Sequence, residues 1–280
     1  MSAPDGLPPL RDVIRASGLT ARKSLGQNFL LDFNLTRRIA RAAGPLEGAT
    51  IVEVGPGPGG LTRALLFEGA SRVIAIEKDE HCLPALRDVA KTYPGRLKIV
   101  AADAREVDYG ALNLQPPARI VANLPYSVAT PLLIGWLKTD PWPPWFDRLV
   151  LMFQREFALR IVAKPRARDY GRLAVLSQWR TSPRILLTLP AAAFTPRPKV
   201  ESSLVELVPK AILRPECNVA MLERVTAATF GQRRKMLRSS LRQMTPDAQR
   251  LLQELGIDPK VRAEELEIAD FCRIANALRR

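Results

Sequence analysis

The sequence predicts an α/β fold, a parallel sheet wound on both faces by helices, followed by a small all-α domain. Three observations predict it. Short apolar runs rich in β-branched residues recur at 51–54, 72–76, 97–100, 119–122 and 148–153, separated by helix-length segments. Strands joined through helices pair in parallel and are buried on both faces, which is why the runs are continuous rather than alternating. A glycine-rich turn, Gly55-Pro56-Gly57-Pro58-Gly59-Gly60, stands directly between the first run and the helix after it. Beyond residue 209 no strand pattern recurs and the apolar spacing becomes helical.

Residues 1–18 form an N-terminal extension. Residues 11–17 have the spacing of a short helix stopped by Gly18. A basic, glycine-bent segment, Ala21 to Leu30, leads to a helix capped by Asp32 or Asn34 and ended by Gly44-Pro45. Residues 61–68 read as the helix after the glycine turn, with Gly69 as its stop. Residues 83–92 read as the next, with Pro84 tolerated in the first turn. Residues 154–163 follow the fifth strand, and 186–189 and 203–208 read as late strands flanking Phe194-Thr195-Pro196-Arg197. The sheet domain spans 19–208, and a helical domain, 209–280, contains helices at 219–230, 234–243, 246–255 and 269–278.

At 280 residues the chain can bury two cores, and 47% hydrophobic with 25% charged residues is the balance of a globular protein. A net charge of +14 favours a polyanionic partner, nucleic acid above all. Three scattered cysteines and a single histidine, His81, argue against a disulfide framework, a histidine-based triad and a metal site. The first residues carry no charged start followed by an apolar core, and no apolar run approaches the ~20 residues of a membrane span, so a cytoplasmic protein is expected.

Candidate site residues fall at successive strand ends. Gly55, Gly57 and Gly60 satisfy G-x-G-x-x-G, which alone points only to a nucleotide-like ligand. Pro56 and Pro58 reduce the free N–H groups and tilt the reading toward a carboxylate-bearing cofactor rather than a pyrophosphate. Glu77 ends the second strand, where a carboxylate can accept from both ribose hydroxyls. Asp103 ends the third and can accept from the exocyclic amine of adenine. A helix N-cap is the competing role for each acid.

The fourth strand end reads Asn123-Leu124-Pro125-Tyr126. The amine of adenine is a poor nucleophile because its lone pair is delocalised into the ring. The Asn123 side-chain oxygen and a nearby carbonyl, that of Leu124, can accept its two N–H bonds and favour a tetrahedral nitrogen as a bond to carbon forms. Pro125 stiffens the turn, and Tyr126 offers a ring on which an unstacked base can lie. No metal is needed.

With these motifs in register the chain resembles the ribosomal RNA adenine dimethyltransferases of the small-subunit (RsmA/KsgA) type. The similarity rests on 23–30, the loop at 53–62, Glu77, Asp103, 123–126, 170–173, 194–203 and 230–235. It implies a Rossmann-like class I methyltransferase sheet of seven strands, the last antiparallel, and S-adenosylmethionine as methyl donor. It implies dimethylation of the N6 amines of two adjacent adenines in a hairpin loop near the 3′ end of 16S rRNA in the 30S particle. A role in small-subunit biogenesis and a monomeric state follow from the same resemblance. It assigns cofactor contacts to Asn28 and Leu30 as well as Gly55, Glu77, Asp103 and Asn123. It makes Phe194 a second aromatic across the target base from Tyr126. Two departures are the aromatic pair in 153–157 and a longer leader before Gly18.

Lys164, Arg166 and Arg168 lie in a basic loop, and Arg233, Arg234, Lys235 and Arg238 cluster further on. Arg234, Arg238 and Arg242 follow helical spacing and suit RNA phosphates. The rival readings are a large-subunit (23S) rRNA adenine methyltransferase of the antibiotic-resistance type, an architectural assembly factor, and an NAD dehydrogenase. The last leaves Asp103 and 123–126 without a role.

Overall fold

A computed structural model describes residues 3–21 and 26–279. Lys23, Ser24 and Leu25 of the basic segment lie outside the described residues. In chain order the elements begin with α1 (Leu10–Ala16), β1 (Phe29–Leu30), α2 (Phe33–Ala42), β2 (Thr50–Val54), α3 (Gly60–Phe67) and β3 (Arg72–Glu77). They continue with α4 (Leu83–Thr92), β4 (Leu97–Ala101), β5 (Ala118–Ala122), α5 (Tyr126–Leu137), β6 (Arg148–Gln154) and α6 (Arg155–Val162). Then come α7 (Arg172–Arg180), β7 (Thr181–Leu189), β8 (Phe194–Thr195), β9 (Ser202–Pro209), α8 (Val219–Phe230), α9 (Leu237–Ser240), α10 (Ala248–Glu254) and α11 (Ile268–Ala277).

Seven strands form one sheet in the order β4-β3-β2-β5-β6-β9-β7. The first five are parallel, and β9 runs antiparallel to β6 with Leu151 opposite Val205. This is the mixed seven-stranded sheet of the class I methyltransferases. Every residue of β2 and β5 is buried, as strands covered on both faces require. Winding reverses between β2 and β5, so the carboxyl ends of the strands open a crevice there.

Local chemistry sets the entry to the sheet. Asp32 caps α2 by accepting from the Asn34 and Leu35 N–H groups, as expected. The segment before it is not a helix entry. Phe29 and Leu30 pair antiparallel with Thr195 and Phe194 in a separate two-stranded ribbon. A two-residue strand is too short to show a periodicity, so this pairing is invisible in sequence.

Close packing divides the chain into two compact units. One comprises the residues up to Arg155 with Arg184–Pro209, the other Glu156–Pro183 with Lys210 onward. Residues 156–183, expected with the sheet domain, therefore fall in the helical unit. Gln178 on α7 donates to the Ile161 and Ala163 carbonyls, which ties α7 to the end of α6. Tyr170, fully buried, donates to the Leu266 carbonyl at 3.1 Å and meets the Phe230 ring edge-on, while Phe230 stacks on Phe271. Those aromatics form the centre of the helical unit.

The helix expected over 234–243 is only the short α9 followed by a 3-10 turn at Leu241–Gln243. The Leu237 and Arg238 N–H groups donate to the Val261 and Pro259 carbonyls instead of to an earlier helical turn. Arg234 and Lys235 therefore sit in the preceding turn, and the basic stripe is not a continuous helical face.

Glu206 on β9, 1% exposed, accepts from Arg148 on β6 and Arg184 on β7, so one carboxylate ties the antiparallel strand to both flanking strands. Replacing it with alanine leaves two guanidinium groups facing each other. Glu206→Ala is expected to cost about 2–4 kcal/mol, read as a lower urea midpoint for the sheet unit. An unchanged midpoint would show that the ion pairs contribute nothing.

Candidate active site

The crevice at the strand ends holds a cavity of about 300 Å³, within the range of small-ligand sites. Glu77, at the end of β3, is its anchor. One carboxylate oxygen accepts from the Gly57 N–H at 2.8 Å and the other from the Asp79 N–H at 2.7 Å. The Gly57 amide is therefore engaged by Glu77, while Gly57 itself lines the cavity. Each Glu77 oxygen keeps a further lone pair for a hydroxyl. Burial of the side chain pushes its pKa up, against those two hydrogen bonds. Gly57 has φ +56° and Gly55 φ +66°. A Cβ at Gly55 would lie 3.3 Å from the Pro125 ring, so the glycine turn can pack against 123–126 only without a side chain.

Glu53, on β2, also lines the cavity and escaped the sequence reading. It is 1% exposed and accepts a 2.6 Å hydrogen bond from the Thr62 hydroxyl. Burial pushes its pKa up to about 8, opposed by the Thr62 hydrogen bonds and reinforced by the charge of Glu77. At neutral pH Glu53 is mainly the neutral acid, because burial and the neighbouring Glu77 both disfavour its charge. Its place just before the glycine turn was the available signal.

Asp103 stands at the cavity edge just beyond β4, as expected, but it is not an open acceptor. Arg105 donates to it from the main chain and twice from the guanidinium, and Lys78 donates at 2.8 Å. Those donors hold its carboxyl well below the usual carboxylate range. Lys78 and Arg105 also line the cavity. Any ligand amine reaching Asp103 must share it with them.

The tetrapeptide closes the same cavity. The Asn123 side-chain N–H donates to the Asn28 carbonyl at 3.1 Å, which fixes the amide orientation and leaves its oxygen as an acceptor. Asn28 is itself braced by a hydrogen bond from its side chain to the Gly26 carbonyl. Pro125 precedes α5, and its carbonyl accepts from Val128 and Ala129, so it is committed to the helix and the Leu124 carbonyl is the candidate second acceptor. The Tyr126 hydroxyl is 2.6 Å from the Ser202 hydroxyl, which fixes the ring. Asn28, Leu30, Gly55, Gly57, Glu77, Asp103, Asn123, Leu124, Pro125 and Tyr126 thus line one cavity. Phe194 does not. It is 3% exposed, pairs with Leu30 in the ribbon and belongs to the apolar core, so it presents no ring to a base in this conformation.

In the helical unit, Lys164, Arg166, Arg168, Arg234 and Lys235 are exposed. Arg233 is not free. It pairs with Glu264 at 2.6 Å and donates to the Arg168 carbonyl, fastening the basic loop in place. Arg238 donates to Gln249. Among the described residues no group of His, Cys, Asp or Glu is arranged to hold a metal ion, and no helix is long and apolar enough to cross a membrane.

Two measurements test this electrostatic arrangement. A raised folded-state pKa means that the folded protein holds its proton more tightly, so the stabilisation is complete below 4.5 and is lost as pH rises through about 8. Glu53→Gln is neutral throughout, so its stability relative to the unaltered protein is expected to rise between about pH 5 and pH 8 and then level off. A difference independent of pH would refute this. For Glu77→Gln, an amide cannot accept from both Gly57 and Asp79 without turning its own N–H toward one of them. The ligand-free protein is expected to lose about 1–3 kcal/mol in urea unfolding.

A sequence model of the ribosomal RNA adenine dimethylase family matches residues 18–280. A relative from Xanthobacter autotrophicus named ribosomal RNA small subunit methyltransferase A is 61% identical over 99% of this chain and 96% of its own length. One of the same name from Cereibacter sphaeroides is 60% identical over 98% of both chains. Among solved structures, a dimethyladenosine transferase from Plasmodium falciparum superposes with a TM-score of 0.75 at 23% identity, covering 86% of this chain and 94% of that one. The 23S rRNA methyltransferase ErmE superposes at 0.64 with 23% identity, over 90% of this chain and 100% of that one. At these identities the two structures speak to the fold alone. The family match over nearly the whole chain goes further, and with the relatives' identity it makes this protein a member of the ribosomal RNA adenine dimethylase family.

Proposed function

We propose that this protein is an S-adenosylmethionine-dependent dimethyltransferase of adenine N6 amines in small-subunit (16S) rRNA, acting on the assembling 30S particle. The observation that carries the reading is the Asn123 amide. Its N–H is held by the Asn28 carbonyl, and its oxygen is left as an acceptor beside Tyr126. The names of the relatives supply the rRNA class and the subunit.

The residues fit the cofactor by donor and acceptor chemistry. Glu77 has lone pairs for two ribose hydroxyls, Asp103 suits an exocyclic amine, and the α3 N-terminus behind Gly60 suits a carboxylate. When bound, S-adenosylmethionine supplies a methyl group on a sulfonium as electrophile. Asn123 and the Leu124 carbonyl accept the N–H groups of the target amine and favour the nitrogen geometry needed for attack, an interaction stronger in the transition state than before it. Tyr126, fixed by Ser202, gives the base a stacking face. The proton lost on methylation needs no strong base, because the product cation is acidic.

The exposed basic residues of the helical unit are the proposed phosphate contacts. Their number and position suit electrostatic binding of structured RNA rather than reading of bases.

The decisive assay is transfer of labelled methyl to small subunits lacking the modification, with modified small subunits and large subunits alongside. Incorporation approaching four methyl groups per unmodified small subunit, and none on the others, is expected. Incorporation into large subunits only would overturn the small-subunit reading. Asn123→Ala is expected to reduce turnover by about 10²–10³ while leaving particle binding intact. Charge removal at Arg234 and Lys235 is expected to flatten the salt dependence of particle binding by roughly one unit of slope for each phosphate that is no longer neutralised.

A further inference from the structure

The family model begins at residue 18, after the leader, while relatives 61% identical align over 99–100% of this chain. In the structure the leader is fastened to the sheet unit by a buried ion pair. Asp5 takes two hydrogen bonds from Arg63 on α3, Nε to one oxygen and Nη2 to the other, both at 2.7 Å. The Arg63 and Asp5 side chains are 3% and 0% exposed. The third guanidinium nitrogen, Nη1, donates to the Pro8 carbonyl at 2.8 Å, and the guanidinium lies 5.5 Å from the Phe33 ring centre. The leader folds onto itself to present Asp5, with the Ala3 N–H bonded to the Leu7 carbonyl and the Leu7 N–H to the Asp5 carboxylate. A buried, bidentate arginine–carboxylate pair with its remaining donor satisfied is a rigid fastening, unlike an exposed pair.

The fastening has a consequence two residues beyond Pro8. Leu10, the first residue of α1, is 7% exposed and forms part of the wall of the cavity that Glu77 and Asn123 line. It lies directly over Gly60 at the start of α3. A Cβ at Gly60 would be 2.8 Å from the Leu10 methyl and 2.9 Å from the Leu30 carbonyl. Gly60 and Arg63 are one turn apart on α3, so a single helix carries both the seat of the wall and its fastening. Behind the wall is a second, smaller cavity of about 90 Å³ bordered by Leu10, Leu30, Gly60 and Arg63.

We infer that the leader is a built part of the cofactor site, a strap latched by Asp5 and Arg63 that uses Leu10 to close the amino-acid end of the cavity. This rests on the cofactor reading given above. The α3 end of the cavity is where a carboxylate is favoured by the helix N-terminus, while Asp103 and Arg105 mark the opposite, adenine end. An apolar wall over that helix end excludes water and strengthens the attraction between the helix end and the carboxylate. The strap therefore acts on ligands that carry the amino-acid moiety and not on those that lack it.

Calorimetric titration of the full chain tests this with three probes: S-adenosylmethionine, S-adenosylhomocysteine and 5′-methylthioadenosine, the last without the amino-acid end. Leu10→Ala is expected to weaken the first two about tenfold and the third less than about twofold. Asp5→Asn, which loosens the latch without touching the cavity wall, is expected to show the same selectivity with a smaller loss. Thermal unfolding without ligand confirms that each variant is folded, and Leu10→Ala alone decides if Asp5→Asn is not. Undiminished affinity for the two full-length probes overturns the proposal. So does an equal loss for all three, which is the signature of general loosening. If the unaltered protein binds none of the three, the cofactor reading itself fails, an outcome distinct from a failure of the strap.

Discussion

The site depends first on the placement of one buried carboxylate. Glu77 holds the Gly57 and Asp79 amides at once, so the glycine turn after β2 and the turn after β3 are fixed to each other through a single side chain. Parallel pairing of β2 with β3 in register, Val54 beside Ile76, brings those turns within reach. Satisfying two main-chain donors offsets the cost of burying the charge. The same charge explains Glu53. A second ionised carboxylate in this cavity would meet both burial and repulsion, and Glu53 keeps its proton instead, with Thr62 donating to it. The pair is one electrostatic unit, and a ligand bearing positive charge changes the balance for both members.

The acceptor at the other end of the cavity is oriented by main chain rather than by side chains. Asn123 has no choice of amide orientation, since the Asn28 carbonyl can only accept. Asn28 is held by its position just before the ribbon that β1 makes with β8, and by its bond to Gly26. A segment distant in sequence therefore sets the direction of the Asn123 oxygen before any substrate arrives. Such preorganisation avoids the reorganisation that an unheld amide would require during the reaction.

What was legible in sequence follows from length and periodicity. The buried strands β2, β3, β5 and β6 are continuous apolar runs, and all were read within a residue or two of their ends. The acids ending β3 and following β4 were legible because a strand end behind a glycine turn constrains what a carboxylate there can do. The ribbon was not legible, because two residues define no period. Helix α5 escaped because its residues are apolar nearly all round and include Pro131, so neither an amphipathic stripe nor an unbroken helix former marks it. Spacing misled at 234–242, where the arginines repeat helically but the main chain takes its partners from 259–261. Phe194 was assigned by resemblance, and its burial in the apolar core carries no sequence signal of its own.

Charge shows the same limit of sequence reading. The net excess of +14 is a property of composition, yet much of the arginine content is used inside the fold. Arg63 latches the leader, Arg96 donates to the Leu66 and Ala70 carbonyls, Arg119 to those of Ala43 and Pro45, and Arg233 to that of Arg168. Arginine serves here as a planar multiple donor for carbonyls at element ends, a role lysine cannot fill with the same geometry. Charges available to a polyanion are the exposed remainder, which in the helical unit includes Lys164, Arg166, Arg168, Arg234 and Lys235. Phosphate contacts of that kind bring RNA to the protein without choosing its sequence. Under the proposed function, selection of the base falls to the sheet unit, where Asn123, Leu124 and Tyr126 line the cavity. On that reading an electrostatic surface and a small, braced amide site can be tuned separately, because they draw on different residues.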